Sequence, residues 1–217
     1  MAIIFDLDGT LINSFDIHIR LMKKSIDEII GKDVIPLYLI KSYIRFPSKQ
    51  MLSTLSKQLK IKITPVQMKN IIELKDKMFD KTQIRKIKFY PKAKDLLLLL
   101  KNKNAKFCIA TSMNTEELGK VEPWIKLKGF CEIINSPALK HEKPDPYILK
   151  KAIKSLNSKK SETFYVGDAE TDYEASKNAG IKFIGVNNPK LVDLGDMYFK
   201  DVKTLYTFIK TNYFDFL

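Results

Sequence analysis

AIIFDLDGT, residues 2–10, decides the fold. Ala2 to Phe5 is an apolar run closed by Asp6, the pattern of a strand buried on both faces that delivers a polar side chain at its carboxyl end. Strands of that kind belong to parallel sheets, where chemistry collects at the strand ends. The theme recurs beyond Tyr90-Pro91. A helix around Leu96 to Leu100 precedes the run Phe107 to Ala110, which ends in Thr111-Ser112. Glu132 to Asn135 is a short strand, and Pro146 opens a helix that reaches Leu156. Thr163 to Val166 is a strand closed by Gly167-Asp168, Thr171 to Ala179 a helix stopped by Gly180, and Ile181 to Val186 the next strand. Alternation of this kind predicts an α/β core of parallel strands joined by right-handed crossovers, with helices on both faces of the sheet.

The stretch between the first strand and Tyr90 reads differently. From Ser14, Ile19, Met22, Ile26, Ile29 and Ile30 recur at helical spacing, and Gly31 follows as a helix stop. Thr64-Pro65-Val66-Gln67 is a capping box with proline at the first helical position. Pro36 to Leu59 predicts one or two shorter helices broken near Pro47, and no alternating strand pattern occurs from residue 15 to 88. The expected organisation is a core of residues 1–14 and 89–217 carrying an all-helical insertion, residues 15–88.

Composition narrows the functional classes. Of 217 residues, 45% are hydrophobic and 29% charged, which excludes a disordered or low-complexity chain. The two cysteines, Cys108 and Cys131, form neither a disulfide framework nor a zinc pattern, so buried thiols in a reducing compartment are expected. The longest leucine run, Leu96 to Leu100, falls far short of the ~20 apolar residues that span a bilayer. Asp6 and Asp8 stand where a secretory leader has a basic start and an apolar stretch, so the expected location is cytoplasmic. The net charge is +13, and residues 15–88 hold 17 basic against 7 acidic residues, a net of +10. Such an excess is ordinarily solvated surface; it also suits steering of a small anionic substrate or binding of a larger polyanion.

Three predicted strands end in reactive groups: Asp6 with Asp8, Thr111 with Ser112, and Asp168 with Asp172. Lys143 joins them. In a parallel sheet the ends of strands distant in sequence become neighbours, so these groups are expected to meet in one crevice. Four carboxylates together need a cation, and an all-oxygen set selects a hard ion such as Mg²⁺. A lysine, a hydroxyl and backbone N–H groups at the same point complement the outer oxygens of a phosphoryl group.

FDLDGTLINS, residues 5–14, resembles the first motif of the haloacid dehalogenase superfamily, in its Asp-x-Asp-Gly-Thr phosphatase and phosphomutase branch. HEKPDPY at 141–147 resembles its lysine motif and YVGDAETD at 165–172 its acidic metal motif. The helical insertion is similar to the cap of the phosphoglycolate phosphatase and β-phosphoglucomutase groups. The resemblance implies a Rossmann-like core and a Mg²⁺-dependent phosphatase of small phosphorylated metabolites. Asp6 would be the nucleophile that forms an aspartyl-phosphate. Asp8 would protonate the leaving oxygen, then activate water, and lend its backbone carbonyl to the metal. Thr111, or Ser112 in its place, would hydrogen-bond a phosphoryl oxygen, with Asn114 in the following loop as a further substrate contact. Lys143 would offset the charge of nucleophile and phosphate. Asp168 would ligate Mg²⁺, and Asp172 would complete the metal site as an outer partner fixing water or Lys143. Gly9 would let the chain turn close to the phosphate.

Two positions depart from the family pattern. Asn13 stands where aspartate is common, and the cap stretch Ser42 to Pro47 has no glycine where a glycine-containing substrate loop is usual. Arg45 and Lys49 are the candidates for contacting the distal end of the substrate. A phosphomutase would need the same residues, whereas halide removal would not need Asp8. A Schiff-base phosphonate hydrolase would need a reactive cap lysine. A nucleic-acid or polyanion binder on an inherited scaffold is the alternative outside enzyme chemistry, and either a monomer or a homodimer suits the chain.

Overall fold

The structure, a computed structural model, describes residues 1–79, 87–112, 130–135 and 143–212. The chain divides into two compact units, Met1–Asn13 with Ile87–Leu217, and Ser14–Lys86.

The first unit is built on a six-stranded sheet. In chain order its strands are β1 (Ala2–Phe5), β4 (Lys106–Thr111), β5 (Glu132–Asn135), β6 (Thr163–Gly167), β7 (Lys182–Val186) and β8 (Met197–Phe199). They lie side by side as β5-β4-β1-β6-β7-β8, and every pairing is parallel. This is a Rossmann-like α/β sheet. β1 is central because all four of its residues are apolar and fully buried. It pairs through Phe5 with Ile109 of β4 and Val166 of β6, so the three strands that end in polar groups are adjacent and end at nearly the same level. The helices of this unit are α5 (Ala93–Asn102), α6 (Tyr147–Ser155) and α7 (Glu170–Ala179), each leading into the next strand of the sheet, and α8 (Val202–Thr211), which follows the last strand. Each presents an apolar stripe, such as Leu96, Leu97 and Leu100 of α5, to the core. Burying a side chain of that size contributes about 1.5–3 kcal/mol. Gly180 ends α7 in the left-handed region at φ 73°, the helix stop expected from the sequence.

Two features were not legible in the sequence. β2 (Ile12–Asn13) and β3 (Lys88–Phe89) form a two-stranded antiparallel ribbon. Lys88 therefore lies in a strand, although no strand is expected from residue 15 to 88. The ribbon belongs to the first unit, while Ser14 falls in the second. The other feature is the C-terminal pair β8 and α8, which completes the sheet edge.

The second unit consists, among the described residues, of α1 (Phe15–Ile29), α2 (Leu37–Tyr43), α3 (Ser48–Gln58) and α4 (Pro65–Met78). Met22 and Ile26 of α1, Ile40 of α2, Leu52 and Leu55 of α3 and Ile71 of α4 form its core. The capping box of α4 is complete: Gln67 N–H donates to Thr64 Oγ1 at 3.2 Å, and Thr64 N–H donates to Gln67 Oε1 at 2.9 Å. A cap of this kind is worth about 1 kcal/mol. Pro36 and Pro47 immediately precede α2 and α3 with non-helical backbone, and the break between the two helices falls at Pro47, as expected from the sequence.

Both cysteines are free; Cys108 is buried in β4, and burial pushes the Cys131 thiol up to about 12. Among the described residues no helix is long and apolar enough to cross a membrane.

Candidate active site

Asp6 follows β1 directly and is held there by its backbone N–H, which donates to the Val166 carbonyl of β6 at 2.9 Å. The next residues turn sharply. Gly9 has φ 86°, a conformation that suits glycine, and its N–H donates to the Ile12 carbonyl at 2.9 Å. The turn leaves Thr10 fully buried, with its hydroxyl donating to Asp168 Oδ1 at 3.2 Å. Asp168 follows β6, the neighbour of β1, and is itself 1% exposed.

Asp6, Asp168 and Asp172 each place a carboxylate oxygen within 4.8 Å of the others, and all three are buried. Lys143 enters this trio. Its Nζ donates to Asp6 Oδ1 at 2.8 Å and to Asp172 Oδ1 at 2.6 Å. Asp172, in the first turn of α7, is filled on both oxygens. Oδ1 also accepts the Tyr165 hydroxyl at 3.0 Å, and Oδ2 accepts the backbone N–H groups of Asp168 at 3.1 Å and Ala169 at 3.0 Å. Four hydrogen bonds match the lone-pair capacity of a carboxylate. Asp172 is thus an anchor for Lys143 and for the loop after β6.

The electrostatics follow from this crowding. Burial pushes the Asp6 carboxyl well above the usual carboxylate range; Lys143 opposes the rise, and Asp172 and Asp168 reinforce it. Burial alone would depress the Lys143 ammonium, but Asp172 and Asp6 outweigh it and hold the group well above the usual lysine range. One lysine faces three buried carboxylates, a balance that leaves excess negative charge in a place where water cannot screen it. Oxygen donors with that excess fit a hard divalent cation.

The other expected residues fall as follows. Asp8 is half-buried on the turn after β1 and stands outside the trio of carboxylates. Thr111 ends β4 and is 1% exposed, whereas Ser112 is exposed. Asn114 lies outside the described residues, as do His141 and Glu142 of the lysine motif. Arg45 and Lys49 belong to the helical unit. The Arg45 guanidinium stacks 4.4 Å over the Phe15 ring, and Lys49 is exposed in the first turn of α3.

Tyr165, Thr10, Asn187 and Asn188 were not singled out from the sequence. A fully buried tyrosine in the strand Phe164-Tyr165-Val166 must find a polar partner, and that requirement pointed toward Asp172. Asn187-Asn188 follow β7, so the strand-end rule that found Asp6, Thr111 and Asp168 applied to them as well.

Comparison with known proteins agrees with this architecture. Residues 3–186 match the family model described as haloacid dehalogenase-like hydrolase. The chain is 26% identical over 182 residues to a phosphoglycolate phosphatase of Aquifex aeolicus, covering 83% of this chain and 82% of that one. It is 28% identical over 186 residues to the pyrophosphatase PpaX of Anoxybacillus flavithermus, covering 85% and 82%. The solved structure of a hydrolase from Pseudomonas syringae superposes with a TM-score of 0.79 at 24% identity, covering 97% of this chain and 98% of that one, a likeness of fold. With the motif at the end of β1, the parallel sheet and a match that spans most of its length, the chain belongs to the haloacid dehalogenase-like hydrolase family and is an enzyme.

Proposed function

We propose that this hydrolase is a cytoplasmic, Mg²⁺-dependent phosphatase of small phosphorylated metabolites that works through an aspartyl-phosphate on Asp6. The observation that carries the reading is the Lys143 bridge, 2.8 Å from Asp6 and 2.6 Å from Asp172, set in a buried carboxylate cluster at the end of the central strand. Lys143 opposes the upward push that burial gives the Asp6 carboxyl, and so favours the ionised form that a nucleophilic carboxylate requires. Asp6 attacks phosphorus, the P–O bond to the leaving group breaks, and Asp8 gives its proton to the departing oxygen. Asp8 then takes a proton from water as the water attacks phosphorus, which releases phosphate and restores the Asp6 carboxylate. Thr111, at the end of β4, orients a phosphoryl oxygen.

Asp6 and Asp168, with the Asp8 backbone carbonyl, are the groups that would hold Mg²⁺, and Asp172 supports them through Lys143 and the Asp168 N–H. When bound, the ion neutralises phosphoryl charge. The names of the relatives make phosphoglycolate and pyrophosphate the first substrates to try. The +10 charge of residues 15–88 favours anionic substrates through steering. The test is phosphate release from phosphoglycolate, pyrophosphate, sugar phosphates and nucleotides, with Mg²⁺ and with EDTA, by wild type and Asp6→Asn. Mg²⁺-dependent release abolished by Asp6→Asn supports the reading; release that survives Asp6→Asn refutes it.

A further inference from the structure

The loop after β7 reaches back to both loops that carry the candidate metal ligands. Asn187 Nδ2 donates to the Gly9 carbonyl at 2.9 Å and to the Thr10 carbonyl at 3.1 Å, across 178 and 177 residues of sequence. Asn188 Nδ2 donates to the Asp168 carbonyl at 2.8 Å. The Asn188 amide is fixed from the other side too, because its Oδ1 accepts the Lys190 N–H at 3.2 Å and caps the short helical turn Pro189–Leu191. Asn188 is 6% exposed.

These bonds close a ring. Thr10, held through its carbonyl by Asn187, donates its hydroxyl to the Asp168 carboxylate; Asp168, held through its own carbonyl by Asn188, accepts it. The covalent bond between Asn187 and Asn188 completes the circuit. Asn187 sits at φ 58°, a left-handed conformation that asparagine adopts more readily than most residues that carry a side chain. The chain therefore adopts an uncommon backbone geometry at the residue whose side-chain amide meets the Gly9 and Thr10 carbonyls. Three backbone carbonyls, those of Gly9 and Thr10 in the turn after Asp8 and that of Asp168 in the loop after β6, are thus taken by two adjacent amides. The backbone bond from Asp6 N–H to the Val166 carbonyl ties the start of the turn to β6, and beyond it the contacts described between the two loops run through side chains.

We infer that Asn187 and Asn188 are positioning residues that fix the spacing between the turn after Asp6 and the loop at Asp168, and through it the affinity of the site for a divalent cation. The inference rests on the functional reading above. Outer partners of metal ligands typically change metal affinity 10–100-fold when removed.

The experiment measures Mg²⁺ affinity in the absence of substrate, from the rise in melting temperature with Mg²⁺ concentration, alongside kcat and KM at saturating Mg²⁺. The variants are Asn188→Asp, which keeps shape and the Lys190 cap but loses the donor, and Asn187→Gly, which keeps the backbone conformation but loses the amide. Asn104→Asp, in the loop before β4, is the control. The expected result is a 10–100-fold weaker Mg²⁺ response in both variants. A fall in kcat with a nearly unchanged KM should accompany it, and Asn104→Asp should match wild type. A merely structural role would lower the melting temperature in metal-free protein without moving the Mg²⁺ midpoint. A midpoint within twofold of wild type in either folded variant overturns the inference. If Asn188→Asp does not fold, the midpoint of Asn187→Gly decides. A wild-type protein that neither responds to Mg²⁺ nor releases phosphate overturns the functional reading and this inference together, whereas a responsive wild type with unresponsive ratios overturns this inference alone.

Discussion

Replacing Lys143 by methionine removes one positive charge from a cluster of three buried carboxylates while keeping much of the side chain's volume. In the wild type the ammonium lies 2.8 Å from Asp6 and 2.6 Å from Asp172, and only 12% of the side chain is exposed. At an effective dielectric of about 20, a unit pair at about 2.7 Å is worth roughly 6 kcal/mol before desolvation is subtracted. Desolvation consumes much of that, and removing one partner of a buried pair typically costs about 3–5 kcal/mol because the stranded charge remains. For a chain of this size a loss of 1 kcal/mol lowers the melting temperature by about 2–4 °C, so Lys143→Met should melt roughly 6–20 °C below wild type in EDTA. The pH dependence has a definite sign. Lys143 is held above the usual lysine range, so its contribution is complete below that range and is lost only as pH rises through the raised value. Asp6 is pushed upward, so acidification protonates it first and the gap between variant and wild type should narrow as pH falls. Added Mg²⁺ should recover part of the loss. The assay is thermal melting followed by circular dichroism across pH, in EDTA and in Mg²⁺. A loss below about 1 kcal/mol in EDTA, the range of an exposed ion pair, would show that Lys143 does not balance the cluster.

Three further outcomes follow from named contacts. Tyr165→Phe removes the hydroxyl that donates to Asp172 at 3.0 Å and accepts from Lys143 at 3.2 Å; kcat should fall about tenfold with KM little changed, together with about 1–2 kcal/mol of stability, measured by steady-state kinetics and urea unfolding. In Gly167→Ala the new Cβ would lie 2.5 Å from Asp172 Cβ and 2.6 Å from its Oδ2, so Asp172 must move; chemical unfolding should show a loss of about 1–3 kcal/mol, with activity falling further than in Tyr165→Phe. Asp201→Ala removes the cap of α8, whose carboxylate accepts Thr204 N–H and Oγ1 at 2.7 Å each, and should lower stability by about 1 kcal/mol at neutral pH. The Thr204 hydrogen bond holds Asp201 below its ordinary value, so this cap is complete above the carboxylate range and vanishes as pH falls through the lowered value; melting curves of wild type and variant should converge in acid.

Much of the core was legible because its strands are short, apolar and buried on both faces, and because each ends in a polar residue. That rule marks Asp6, Thr111 and Asp168 as strand-end residues, and in the sheet the three strands are adjacent. The helical segment was legible through its apolar spacing and through Thr64 and Gln67, which form the capping box their order implies. What escaped was either too short to carry a period or depended on contacts across long sequence separations. The ribbon of Ile12-Asn13 with Lys88-Phe89 has two residues on each side, and no alternation can be read from two. β8 has three residues at a sheet edge, and its half-buried pattern resembles a loop. Asp172 was legible as an acidic residue near Asp168, but its four donors come from Lys143, Tyr165 and two backbone N–H groups, which only the folded chain brings together. Asn187 and Asn188 escaped for the same reason, since an amide pair at a strand end reads as a turn until its three carbonyl partners are known.

The central claim is that a carboxylate oxygen of Asp6 becomes bonded to phosphorus during turnover. The most direct measurement is a rapid acid quench of the enzyme mixed with its best substrate and Mg²⁺. Borohydride reduction then converts an aspartyl-phosphate to homoserine, and peptide mass spectrometry locates the converted residue. Homoserine is expected at position 6, absent in EDTA and absent in Asp6→Asn. Homoserine at any other aspartate, or full turnover with residue 6 never converted, would contradict it.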